Sequence, residues 1–169
     1  NRVGDEADLF VDANQAWTAK EAIETSRAMN EHGISWVEEP ISEFDLDGHE
    51  RVAKAIEPSL ATGETLNRSE QFDRLLERGG MEVAQPDLIR SGGVTGQLHA
   101  AKLAADHGVP MASHFYYPIS AHVVSAVSNG MVVEYVPEFD IAPMLEEPPT
   151  IEDGSVKLAD RPGHGCRID

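Results

Sequence analysis

The chain has 169 residues, 41% of them hydrophobic and 25% charged, enough apolar material for one compact core. Its formal net charge of −17 sets the protein's own field against nucleic acid or an anionic membrane surface, and no apolar run approaches the roughly 20 residues of a membrane helix. A single cysteine, Cys166, excludes an internal disulfide framework and a thiolate-only metal site and fits a reducing, cytoplasmic location.

Short β-rich runs alternate with helical segments. The first pair is the strand "ADLFVDAN" and the helix "WTAKEAIETSRAMNEHG", where Thr18 and Glu21 form an S/T-x-x-E capping box and Gly33 supplies the stop. "ISWVEE" leads into a helix around "GHERVAKAIE". "SLATGE" leads into "NRSEQFDRLLERGG", whose Phe72, Leu75 and Leu76 suit one buried face. "MEVAQPD" precedes "TGQLHAAKLAADHG", "PMASH" precedes "ISAHVVSAVSNG", and "MVVEYV" closes the series. The pattern predicts six strands with five intervening helices. Acidic residues are spread along the chain, which suits either a solvated surface or adaptation to high salt.

This alternation implies right-handed βαβ units and a parallel α/β sheet, either doubly wound or a (β/α) barrel. A polar residue closes each strand: Asp12, Glu38, Glu64, Asp87, His114 and Glu134, the first three at intervals of 26 residues. One such residue per βα unit favours the barrel, because there every strand end meets at one mouth, whereas an open sheet spreads them along a line. Beyond the last strand, residues 138–169 read as a proline-rich covering tail with one hairpin turning at Asp153-Gly154, leaving 1–137 as the barrel portion.

Three carboxylates on adjacent strand ends supply hard oxygen ligands suited to Mg²⁺. Asp87 and His114 make a candidate carboxylate–imidazole pair, which fixes a histidine tautomer and raises its basicity. A divalent ion on a substrate carboxylate offsets the charge of an enediolate, so a histidine can then remove the α-proton. Plainer readings exist for each residue: solvated strand-end acids, a loop histidine, and for Glu134 a strand acid paired with an arginine. Gly92-Gly93 reads as a tight βα turn in preference to a phosphate cradle. Arg90 reads as structural in preference to a contact for an anionic substrate, and the other six histidines carry no assigned chemistry.

In this order "VDANQAW", "WVEEP", "ATGE", "VAQPDLIRSGGVTG", "ASHFYYPISAH" and "VVEYV" resemble the successive barrel motifs of the enolase superfamily, mandelate racemase subgroup, from residue 9 to the end. The resemblance implies strands three to eight of a TIM-type barrel. It also implies Mg²⁺ on Asp12, Glu38 and Glu64, a His114–Asp87 base dyad, Glu134 as hydrogen-bond donor to the intermediate, and Asn14 beside metal and substrate. The family's Lys-x-Lys pair, which precedes the first ligand, and its N-terminal capping domain have no counterpart here. A full barrel takes about 250 residues, so the chain is expected to be the C-terminal part of a longer protein, with its tail packing on the barrel or the capping domain.

The activity expected from the resemblance is dehydration of an acid sugar (an aldonate or aldarate). The alternatives are racemisation of a 2-hydroxy acid and a catalytically incomplete fragment. The expected partner is a small carboxylate, with no nucleic acid or membrane, and a homo-oligomer is expected. In "WVEEP", Glu38 is expected to face the mouth and Glu39 to point away, with Pro40 ending the strand pairing.

Overall fold

The computed structural model describes residues 7–168. Six parallel strands form one sheet in sequence order: β1 (Leu9–Asp12), β2 (Ile34–Glu38), β3 (Ser59–Thr62), β4 (Val83–Ala84), β5 (Met111–Ser113) and β6 (Gly130–Val133). Between them lie α1 (Ala19–Met29), α2 (Leu46–Ala53), α3 (Ser69–Glu77), α4 (Val94–Asp106) and α5 (Tyr117–Ala126). A doubly wound sheet reverses its strand order at a switch point; here the order never reverses, and each helix packs against the next. The sheet is therefore a segment of a (β/α) barrel wall.

Alternation along each strand builds apolar clusters on both faces of the sheet. Trp36, Ala61, Val83 and Ala112 meet on the inner face. Their neighbours point outward: Leu60 joins Ala19, Ala22, Ile41 and Val52 under α1 and α2, while Ala84 joins Phe72, Leu75, Leu76 and Met81 under α3 and α4. The buried face expected for α3 is as read, with Phe72, Leu75 and Leu76 all enclosed.

Local signals account for most element ends. Thr18 caps α1 by accepting from the Glu21 N–H at 3.3 Å, and the Glu21 carboxylate accepts from the Thr18 N–H at 2.8 Å. Gly33, at φ 67°, turns the chain after a short 3₁₀ segment, Asn30–His32. Helix α2 starts earlier than the "GHERVAKAIE" expectation, because Asp45 accepts from the Gly48 N–H at 2.8 Å and fixes the first turn at Leu46. The β1–β2 pairing ends at Glu38, before Pro40, as expected; beyond it the Pro40 carbonyl accepts from the Trp17 N–H at 3.2 Å, and Trp17 makes an isolated bridge to Ile41. A proline lacks a donor but keeps its acceptor, which suffices for that bond.

After β6 come two 3₁₀ turns, Pro137–Phe139 and Ala142–Met144, and the hairpin β7 (Thr150–Glu152) and β8 (Ser155–Lys157). Its turn is Asp153-Gly154, both at positive φ, as expected. The tail returns toward the strand ends: the Phe139 ring lies 5.2 Å from Phe115, and Cys166 Sγ lies 3.6 Å from the Pro118 carbonyl. Among the described residues no helix is long and apolar enough to cross a membrane.

Candidate active site

The six strand-end residues do come together. Asp12 and Glu38 are the last residues of β1 and β2 and sit in register with each other. Glu64 follows β3, His114 follows β5, Glu134 follows β6, and Asp87 bridges His114 across the β4–β5 gap. A cavity of about 310 Å³ is lined by Asp12, Asn14, Glu64, Arg90, His114, Phe115, Glu134 and Val136. Glu38 lies beneath it and Asp87 behind His114, both buried.

The histidine is held at one ring nitrogen and faces Glu64 with the other. His114 Nδ1 lies 2.8 Å from Asp87 Oδ2, and Nε2 lies 3.3 Å from Glu64 Oε2. Asp87 also accepts from the N–H groups of Ile89 (2.8 Å) and Arg90 (2.7 Å) through Oδ1. Burial acts to raise the Asp87 carboxyl, but the bond to His114 and those two N–H groups outweigh it and leave it below the ordinary carboxylate range. An acceptor-only carboxylate on Nδ1 places the ring proton there, so Nε2 is the nitrogen turned toward the cavity. Burial pulls the imidazole down, yet Asp87 and the charges of Glu64 and Glu134 leave it raised.

The carboxylates crowd one another. Burial, reinforced by Asp12, Glu134 and Glu64 and partly offset by a hydrogen bond from Gln85, pushes Glu38 up to about 7. Burial and the charges of Glu39 and Asp12 raise Glu64 against the pull of His114 and Arg90. Local donors hold these side chains: Trp36 Nε1–H reaches Glu38 Oε2 at 3.3 Å, and Arg90 Nη1 reaches Glu64 Oε1 at 3.3 Å. Among the described residues no three acidic or imidazole side chains close into a ready cage. The donor set still fits a hard divalent cation: three carboxylates stand on neighbouring strand ends, and their mutual repulsion is what such an ion would relieve.

Asn14 and Glu134 hold their places through backbone bonds. The Asn14 N–H donates to Asp12 Oδ1 at 2.7 Å, and Glu134 Oε2 accepts from the Phe115 N–H at 2.9 Å. Phe115 stacks on the His114 ring at 3.9 Å. Arg90, read from sequence as structural, bonds to Glu64 and lines the cavity. Gly92 and Gly93 both have positive φ and lead into α4, as the tight-turn reading requires. Gln85 was missed, since a glutamine before Pro-Asp carries no distinguishing pattern.

The enolase C-terminal domain-like family model matches residues 1–169, and the chain belongs to that family. It is 34% identical over 166 residues to the L-talarate/galactarate dehydratase of Salmonella typhimurium, covering 98% of this chain and 41% of that protein. It is 32% identical over 167 residues to the 3,6-anhydro-alpha-L-galactonate cycloisomerase of Streptomyces coelicolor, covering 99% of this chain and 46% of that protein. The crystal structure of the Salmonella dehydratase liganded with Mg and L-lyxarohydroxamate superposes with a TM-score of 0.92 at 33% identity, over 99% of this chain and 42% of that one. The chain thus spans less than half the length of the relatives it matches.

Proposed function

We propose that this chain carries the metal-binding and base-bearing portion of an enzyme that removes the proton α to a carboxylate, with dehydration of an acid sugar as the overall reaction. The observation that carries this reading is the His114 ring, fixed at Nδ1 by Asp87 and aimed through Nε2 at the mouth that holds Asp12, Glu38 and Glu64. Residues 1–137 form the barrel portion in this reading, and 138–169 the covering tail.

Asp12, Glu38 and Glu64 would hold Mg²⁺. When bound, the ion supplies positive charge at the substrate carboxylate and makes the α-proton removable. His114 Nε2 accepts that proton while Asp87 stabilises the imidazolium. Glu134, anchored through Oε2, serves as hydrogen-bond donor to the enolised carboxylate. Asn14 lines the cavity beside Asp12 and contacts substrate. Loss of the β-hydroxyl breaks a C–O bond, and the proton on His114 leaves with that hydroxyl as water. The resulting enol ketonises to a 2-keto-3-deoxy acid. The dehydratase among the relatives supports this choice of substrate class.

The test follows α-proton exchange of aldonates and aldarates in deuterated water by proton NMR. His114→Asn is expected to lower the exchange rate by at least about 10²-fold while Mg²⁺ binding persists. Unchanged exchange in that variant removes His114 from the chemistry. The product spectrum separates dehydration from racemisation, because only the former loses a C–O bond.

A further inference from the structure

Behind the three carboxylates lies a second polar group that the reaction does not use. Gln15 follows Asp12 by three residues, while Glu39 and Thr65 each directly follow one of the other two acids, Glu38 and Glu64. Their side chains meet: Gln15 Nε2–H donates to Glu39 Oε2 at 2.9 Å, and Thr65 Oγ1–H donates to Glu39 Oε1 at 2.8 Å. Gln15 Nε2 also reaches Thr65 Oγ1 at 3.3 Å, and Gln15 Oε1 accepts from the Glu43 N–H at 3.3 Å. The Gln15 N–H donates to the Glu39 carbonyl at 2.6 Å. Glu39 is 1% exposed, and both its carboxylate oxygens have partners.

Two of the three residues adopt backbone conformations that L side chains seldom take, with φ of 62° at Gln15 and 35° at Glu39. Such conformations persist only where the surroundings over-determine them. A buried polar group that is fully satisfied has few alternative arrangements, since moving any member strands the others.

We infer that Gln15, Glu39 and Thr65 form a positioning lock that sets the relative placement of the strand ends bearing Asp12, Glu38 and Glu64. None of the three lines the cavity bounded by Asp12, Glu64 and His114. Glu38 closes β2 and Glu39 follows it at φ 35°, where its side chain meets Gln15 and Thr65, so a bond that fixes Glu39 also fixes the strand end that carries Glu38. The inference rests on the metal reading above for its functional consequence, but the lock on the strand ends is a property of the protein without metal.

Two readouts test it. The first is Mn²⁺ affinity, followed by electron paramagnetic resonance at a temperature where every variant is folded by circular dichroism. Glu39→Ala is expected to weaken Mn²⁺ binding by about tenfold or more. Glu39→Gln keeps an acceptor for Gln15 and a partner for Thr65, and is expected to restore most of the affinity. The second is amide hydrogen exchange of the metal-free protein. Glu39→Ala is expected to speed exchange at Ala13 and Gln15, whose N–H groups bond to the Glu38 and Glu39 carbonyls.

Parent-like affinity and exchange in Glu39→Ala overturn the lock. Glu39→Gln as weak as Glu39→Ala also overturns it, because charge and not geometry is then what the site needs. No Mn²⁺ binding by the parent protein overturns the metal reading, and amide exchange alone then decides the lock. Should Glu39→Ala fail to fold, Thr65→Val deletes the Thr65 bonds to Glu39 and Gln15 at nearly constant volume, leaves the Gln15–Glu39 bond, and is read in the same way.

Discussion

At the scale of single residues the site depends on side chains whose directions are fixed by what lies behind them. Asp87 is held by two backbone N–H groups before it holds His114, so the imidazole inherits its aim from the start of the loop after β4. Gly63 shows how little room there is. At φ 136° it lies where an added methyl would stand 2.9 Å from the Phe72 ring and 3.1 Å from the Gln85 N–H. Gly63→Ala combines a disfavoured backbone with a clash at the root of Glu64. It is expected to destabilise the fold by about 1–3 kcal/mol, read as a lowered urea midpoint at unchanged slope.

The single acids were legible in sequence because each closes a β-run, as was the Asp87–His114 pair on neighbouring strand ends; most of their other partners were not. Glu39 illustrates the limit. Alternation leads to the expectation that it turns away from the mouth, yet β2 ends at Glu38, Glu39 sits at φ 35°, and the residues it meets are 24 and 26 positions away along the chain. Nothing in a one-dimensional pattern pairs Gln15 with Thr65.

At the scale of elements, periodicity named the helices and local chemistry set their ends. Helix α3 was readable from Phe72, Leu75 and Leu76 because its apolar stripe faces one layer. Helix α2 was misplaced because its "GHERVAKAIE" pattern has no apolar start, and the cap at Asp45 lies outside that pattern. β4 is only two residues long, so its existence rests on neighbours on both sides more than on its own propensity. The core between α3, α4 and the sheet carries the largest share of buried side chains, with Phe72 enclosed among Leu66, Leu75, Leu76 and Met81. Phe72→Ala is expected to cost about 3–5 kcal/mol, measured by denaturant unfolding, with loss of cooperativity if the helices separate.

At the scale of the whole molecule, charge and strand order act together. A cluster of acids at one mouth, in a chain of net charge −17, makes the metal-free protein sensitive to pH. In the folded chain Glu38 holds a proton up to about 7, whereas the ordinary value is 4.5. The folded state therefore binds more protons between those values. This contribution to stability is fully present below about 4.5 and is lost as pH rises through about 7. The raised Glu64 and His114 act in the same direction. His49, buried within α2 and lowered mainly by that burial, acts oppositely: its contribution is present above 6.5 and is lost as pH falls.

Three groups oppose one, and the expected outcome is a melting temperature of the metal-free protein that falls from about pH 5 to about pH 8. Saturating Mg²⁺ should raise it more at the higher pH, since the ion displaces those protons. Differential scanning calorimetry at low and high pH, with and without Mg²⁺, checks both. A metal-free melting temperature that rises over this range would remove the acid cluster as the controlling term.

By itself the sequence determined the order of the six sheet strands, the five α-helices between them and the tail hairpin, because strand and helix periods are written locally; the three 3₁₀ turns were not among its expectations. It also determined which residues close each strand, because those positions follow directly from the period. One polar residue per strand end already favoured a barrel wall over an open sheet, but only the tertiary structure shows the unreversed strand order that brings six strand ends to one mouth. The same holds for the direction of the His114 ring, the bond between Arg90 and Glu64, and the Gln15–Glu39–Thr65 group. Each depends on distances between side chains more than twenty residues apart, and such distances are set by packing, which no local pattern encodes.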